Sequence, residues 1–292
     1  MRQHELGFWE LNPKPTKDEL AEFYKKHYFD SFNFEVKYTD EEHFHKQLPY
    51  VEAEFVHAEY AGKKTGADSN NKNLNFLDVG CGEGFSLGYF GDRGWTVAGT
   101  DYSLDGVNRH FPKYASTVQV GDTEEQIEKM VQQGLQFDLI NLNNVLEHLL
   151  NPVTAMKGLR KLVKPNGCLR VQVPNDFSAL QLFLLENKMI DRQFWVAPHE
   201  HMSYFDRDSL KNTFKSVGFS KVEAMSDYPI DLNLLNPETN YVMDKTKGKA
   251  CHIARVKLDN FLVRKSVKDF VTFRRGCGEA GLGRNIIVYG RP

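Results

Sequence analysis

No apolar run in this chain is long enough to cross a bilayer, and the N-terminus, MRQHELGFWELNPKP, lacks an apolar core of signal-peptide length. Cysteine is scarce. Cys81, Cys168, Cys251 and Cys277 include no CxxC pair, so neither a zinc site, a redox motif nor a disulfide framework is indicated. Charge of one sign is missing as well: 37 Lys and Arg face 39 Asp and Glu, for a net charge of −2. A global basic field for gripping nucleic acid is thereby excluded. No internal repeat and no low-complexity segment interrupts the 292 residues. These absences lead to the expectation of a soluble cytoplasmic protein with no metal, nucleic-acid or membrane partner, and with a homo-oligomer left open.

What is present is an alternation of strands and helices. Thr16 and Glu19 form a capping-box pair that starts a helix predicted to reach Tyr28. A second helix is predicted from Asp40, with Phe44, Leu48, Val51 and Phe55 on one face and Pro49 as a site of bending. Residues 62–73 are polar and turn-rich and read as a loop. Strands are then predicted at 74–79, 96–99, 116–120, 137–142 and 168–173, separated by helices near 84–92, 103–111, 124–133 and 151–163. This order argues for a doubly wound α/β fold with a mostly parallel sheet. Beyond Pro174 the pattern is irregular to about 206. A helix at 207–217 ends at Gly218, a sixth strand is predicted at 222–224, a long helix at 251–274 and a seventh strand at 285–289. The division predicted is 1–73 as an N-terminal helical cap and linker, and 74–292 as a seven-stranded domain with insertions at about 176–206 and 228–283.

The most informative segment is Asp78-Val79-Gly80-Cys81-Gly82-Glu83-Gly84-Phe85. A glycine turn between strand and helix lets a ligand approach the backbone. The spacing is GxGxG; a dinucleotide fingerprint would place glycine where Phe85 stands. Asp78, just before the turn, would repel a pyrophosphate. It suits a ligand with an ammonium and no phosphate, such as the methionine end of S-adenosylmethionine (SAM). Asp101 lies about 20 residues beyond the loop, where an acid accepts ribose hydroxyls. Its alternative role is a helix N-cap, which Ser103 can fill instead. Asp122 can accept from an adenine amino group, cap the helix after it, or do both.

Together with Asn143-Asn144-Val145-Leu146-Glu147-His148, these segments resemble the successive motifs of class I SAM-dependent methyltransferases. Within that class they are most similar to the small-molecule branch that includes ubiquinone-pathway and sugar or polysaccharide methyltransferases. The resemblance covers about 74–225. Pro198-His199-Glu200-His201-Met202-Ser203-Tyr204-Phe205 looks like that branch's "EHxxYF" segment. Leu11-Asn12-Pro13-Lys14-Pro15 and Tyr24 through Tyr28 resemble the lead-in of relatives that often carry a zinc-binding cysteine cluster, which this chain lacks. The resemblance implies SAM as cofactor, held by Asp78, Gly80, Cys81, Gly82 and Gly84 of the first motif. Asp101, Tyr102 and Asp122 would take the adenosine, and Asn143 and Asn144 would contact the methionine or cap the helix after them.

An oxygen or nitrogen acceptor that must lose a proton calls for a base, and histidine suits neutral pH. His201, then His148 and His199, are the candidates, with loop-fixing hydrogen bonds or packing beside the cofactor as the alternatives. Tyr204 is assigned to the acceptor. The fourth strand ends in Asn-Leu-Asn-Asn, without the Asn/Asp-Pro-Pro-aromatic motif of nucleic-acid and protein amino-methyltransferases. The expected acceptor is a small molecule, a sugar or nucleotide-linked sugar methylated at oxygen. Residues 251–275 hold seven cations against Asp259 and Asp269. Either they form a solvated helix face, or Arg264 and Lys265 hold an anionic group of the acceptor. Two rivals stay open: a non-catalytic SAM-binding protein and an NAD-dependent oxidoreductase.

Overall fold

The computed structural model describes residues 1–20, 22, 38–62, 73–198 and 200–292. Strands β1 (Arg2–Gln3) and β2 (Trp9–Glu10) make a small antiparallel sheet with β8 (Ser203–Tyr204). The main sheet contains β3 (Asn75–Val79), β4 (Thr96–Asp101), β5 (Val118–Val120), β6 (Phe137–Asn143), β7 (Val163–Pro174), β9 (Lys221–Ser226) and β10 (Asn285–Arg291). Its order is β5-β4-β3-β6-β7-β10-β9. The first five strands are parallel, and β10 runs antiparallel to both neighbours. The predicted seven-stranded, mostly parallel sheet is the one observed.

Both faces are covered, which explains why the strands read as nearly continuous apolar runs. On one face, Leu77, Ile140, Leu169 and Val288 pack against α4 (Thr123–Gln132), α5 (Pro152–Leu162) and α7 (Arg207–Ser216) through Ile127, Met156, Leu159 and Phe214. On the other, Phe76, Leu139 and Ile287 meet α1 (Asp40–Tyr60), α2 (Phe85–Gly91) and α9 (Val267–Glu279) through Leu48, Phe90 and Phe270. The helix α1 opens on a capping box between Thr39 and Glu42 and continues through Pro49. Thr16 and Glu19 cap each other as predicted; the rest of that helix towards Tyr28, with the Tyr24–Tyr28 lead-in, lies outside the described residues, as does most of the 62–73 loop.

Three expectations are corrected. The helix predicted at 251–274 is two helices, α8 (Gly248–Lys265) and α9, because Ser266 turns extended and its side chain accepts from the Asp269 N–H. The segment expected to be irregular holds α6 (Ala179–Glu186), which opens on a Ser178–Gln181 capping box. The strand predicted from Ser116 starts at Val118, after a 3₁₀ turn at Pro112–Thr117; the helix α3 (Asp105–His110) precedes it. The two insertions pack on each other around Leu184, Ile190, Trp195, Leu234 and Val242. No helix among the described residues is long and apolar enough to cross a membrane.

Candidate active site

At the carboxyl end of β3 the chain turns through Gly80 at φ 74° and Gly82 at φ 52°. A β-carbon on Gly80 would stand 2.4 Å from Val145 Cγ2, so only glycine fits. A β-carbon on Gly82 would meet nothing within 4 Å, which marks open space above the loop. The Gly82 N–H donates to Asp101 Oδ2 at 2.8 Å, and Ser103 N–H donates to Asp101 Oδ1 at 3.2 Å. The last residue of β4 is therefore tied to the glycine turn, and Ser103 takes the Asp105 N–H. Asp122 caps α4 through the Glu125 N–H and also accepts from Tyr102 Oη at 3.0 Å. Tyr102 and Val120 beside them are exposed by 43% and 49%. The strand ends thus present a half-exposed apolar surface edged by two carboxylates, a chemistry suited to a nucleoside.

Strand register explains the chemistry behind the loop. Asp78 pairs with Asn141, Asn141 with Arg170, and Arg170 with Tyr289, so one polar row crosses four strands on a single face. Asn141 Nδ2 donates to Asp78 Oδ1 at 2.7 Å, and Ser86 Oγ donates to the other oxygen. Burial pushes the Asp78 carboxyl up to about 6, against the pull of these two donors. Arg170, fully buried, donates to Asn141, Asn143, Gln172 and Tyr289, and to Glu52 of α1. Glu52 also accepts from Tyr289 Oη at 2.8 Å and Arg274 at 2.5 Å. Every acid in the row thus has a donor, which a buried carboxylate requires.

Above the row lies a cavity of about 460 Å³. Its near wall is Gly80–Glu83 with Asn143 and Asn144, its roof is His45, Lys46 and Tyr50 of α1, and its far end is Asp227, Arg255, Arg274 and Asn285. Lys46 Nζ and Tyr38 Oη both donate to Glu83, at 2.7 and 3.0 Å, clasping α1 to the glycine turn. Asn144 has φ 54°, and its N–H donates to the Gln172 carbonyl.

A second polar cluster stands beside the Asn143–Asn144 corner. His148 is in a 3₁₀ turn, Leu146–His148, and not in the helix expected for it. Its ring meets His201 edge-on with centroids 4.9 Å apart, and His201 meets Tyr204 at 5.9 Å. His148 Nδ1 is 2.8 Å from the Glu200 carbonyl, while His201 Nδ1 is buried without a partner. Glu147 is buried beside them with Oε2 unpartnered, and burial pushes its carboxyl up to about 8. Burial, with His148 and Arg284 nearby, pulls His201 down to about 4. One ligand atom from each of Glu147, His148 and His201 falls within a 4.8 Å set, a grouping that can hold a metal ion and that cysteine spacing gave no sign of.

The residues expected for the cofactor thus gather around the glycine turn and its neighbouring strand ends, and His148, His201 and Tyr204 form a cluster; Tyr204, expected at the acceptor, is buried, and none of the three borders the cavity. His199 lies outside the described residues. Arg264 and Lys265 require correction. Arg264 is exposed and paired with Glu41 at 2.8 Å, Lys265 with Asp269 at 3.0 Å, and neither borders the cavity. The break at Ser266 ends α8 there, and the cation that α8 turns into the cavity is Arg255. Glu52, Arg170, Asp227 and Arg274 were missed. A lone arginine within the apolar strand Cys168–Val173 was the one available signal.

Comparison with known proteins identifies the family and the fold. A family described as a methyltransferase domain matches residues 44–224. The chain is 24% identical over 181 residues to a ubiquinone biosynthesis O-methyltransferase of Dinoroseobacter shibae, covering 61% of this chain and 71% of that protein. It is 23% identical over 186 residues to the protein of the same name from Colwellia psychrerythraea, covering 61% and 74%. The fold matches that of the plantazolicin methyltransferase BamL, solved with a triazolic desmethylPZN analog and SAH, at TM-score 0.52, 13% identity and 93% coverage of both chains.

Proposed function

We propose, from the premise that this chain belongs to the methyltransferase-domain family of class I SAM-dependent enzymes, that it methylates an oxygen of a sugar or nucleotide-linked sugar. The observation that supports a small acceptor is the cavity, which begins at the glycine turn, where the methionine end fits, and continues past Asn144 to the far strands; the choice of a sugar rests on the motif resemblance. Oxygen as the methylated atom is supported by the O-methyltransferase names of the curated relatives. When bound, SAM supplies an activated methyl group for in-line displacement.

The protein's own work is placement and proton handling. Asp101 and Asp122 accept from the adenosine against Tyr102. Asp78, through its buried row, and the Gly80–Gly84 turn hold the cationic methionine end, with Asn143 and Asn144 at the reacting corner. The His148–His201 pair stands outside the cavity lining, next to the Asn143–Asn144 corner, and is our candidate for taking the acceptor's proton, His201 being neutral near pH 7. Tyr204 fixes the His201 ring from its other side. Of the N-terminal segment, Tyr38 and the helix α1 serve as the cap over the cofactor, and the insertions at 176–206 and 228–283 shape the acceptor end. Four buried free thiols fit a reducing, cytoplasmic setting. The test is incubation with SAM and separate panels of sugars, nucleotide sugars and catechols, with S-adenosylhomocysteine (SAH) measured by mass spectrometry. Acceptor-dependent SAH in a sugar panel is expected; turnover confined to catechols would refute the sugar assignment.

A further inference from the structure

Two arginines border the far end of the cavity with donors unspent. Arg255, on α8, donates from one terminal nitrogen to His252 Nδ1 at 2.8 Å, and its Nε–H is buried with no partner. Arg274, on α9, is only 4% exposed; its Nη1 is taken by Glu52, and its Nε–H is also buried with no partner. Asp227, the carboxylate beside both, does not use these donors. Its two oxygens accept from the Asn285 N–H at 2.8 Å and Asn285 Nδ2 at 2.6 Å. A buried guanidinium N–H without an acceptor is costly, and each arginine also has a second terminal nitrogen that makes no bond to a described residue; with both residues bordering one cavity, these nitrogens form the half of a site that a ligand completes.

We infer that Arg255 and Arg274 hold a carboxylate of the methyl acceptor, so that the acceptor is a small acid such as a sugar acid. This rests on the reading of the cavity as the acceptor site. A single negative charge fits better than a pyrophosphate, because Glu42, Asp78, Glu83 and Asp227 border the same cavity and would repel each further charge. The cations come from the C-terminal insertion, which gives that insertion a specificity role. The polar row joins the two ends: Arg274 and Arg170 share Glu52, and Arg170 reaches Asn141 beside Asp78.

The test uses the full chain loaded with SAH and two probes of one shape, benzoate and benzyl alcohol, titrated at constant ionic strength and followed by NMR. Saturable benzoate binding is expected with a Kd on the order of millimolar, as befits a fragment. Benzyl alcohol should bind at least about tenfold more weakly, and Arg255→Gln should weaken benzoate by about 10- to 100-fold while leaving benzyl alcohol unchanged. No saturable benzoate binding, equal binding of the two probes, or a preference surviving in Arg255→Gln overturns the inference. So does benzoate binding that SAH abolishes, since the carboxylate recognised would then be the cofactor's own. SAH affinity is read in the same samples, so loss of the cofactor reading shows separately, as failure of SAH itself to bind.

Discussion

The cofactor edge and the acceptor end of the cavity rest on the same sheet but are assembled in opposite ways. At the cofactor edge, Asp78, the glycine turn, Asp101 and Asp122 lie at successive strand ends; Asp101 and Asp122 are fixed by residues of their own and the adjacent strand–helix unit, Gly82 and Ser103 to Asp101 and Glu125 to Asp122, while Asp78 is held by Ser86 and by Asn141 of the next strand. At the proposed acceptor end, Glu52, Arg170, Asp227, Arg255, Arg274 and Asn285 come from five separate elements and the end of a sixth, and all but Arg255, which bonds His252 on its own helix, are held by bonds that span the chain. Local geometry suits a ligand that never changes.

The largest expected effect tests whether the proton-handling cluster belongs to the acceptor end. His201→Asn should lower turnover by about 10²–10⁴ while SAM affinity is retained. Unchanged turnover would remove His201 from catalysis and pass the test to His148. Next in size is the row that couples the two ends. Arg170→Met removes one of the two cations of buried Glu52, leaving it Arg274 and Tyr289, and strips the donor from Asn141, Asn143 and Gln172; it should cost about 3–5 kcal/mol in denaturant unfolding. A loss below about 1 kcal/mol would mean that the row is not what joins them.

Glu147 gives a pH test. Its carboxyl, raised to about 8 by burial, stabilises the fold fully below its ordinary value of 4.5, and that contribution is lost as pH rises through about 8. Glutamine lacks this dependence. The Tm of Glu147→Gln relative to the parent should therefore climb from about pH 5 to about pH 9, by on the order of 5 °C. A constant difference would show that Glu147 is ionised throughout, as it would be beside a bound cation. The smallest effect belongs to Arg264→Ala and Lys265→Ala. Both side chains are exposed and paired on the surface, so acceptor KM should be unchanged in either variant. A raised KM would return those cations to the acceptor.

The same contrast explains what the sequence disclosed. The sheet and the glycine turn were legible because parallel strands buried on both faces leave apolar runs, and because Gly80, Asp78 and Asp101 act where they stand in the chain. Ser266 was illegible as a break because α8 and α9 carry similar apolar and charged residues on either side of it; only its side-chain cap reveals the boundary. Arg264 gave no sequence sign of pointing outward, because the face of α8 that turns inward is set by packing against α1, where Asn260 and Arg264 both reach Glu41. Glu147 stood in plain view within Asn143–His148, but its unpartnered oxygen depends on His201, brought in by the backbone bond from Met202 N–H to the Glu147 carbonyl.

The most direct test of the central claim is calorimetry with SAM and with NAD on the parent chain and on folded Asp101→Ala. The account predicts that SAM binds and NAD does not, and that Asp101→Ala weakens SAM by about 1.5–3 kcal/mol through loss of the ribose contact. Binding of NAD in place of SAM, or SAM affinity unchanged in Asp101→Ala, would contradict it.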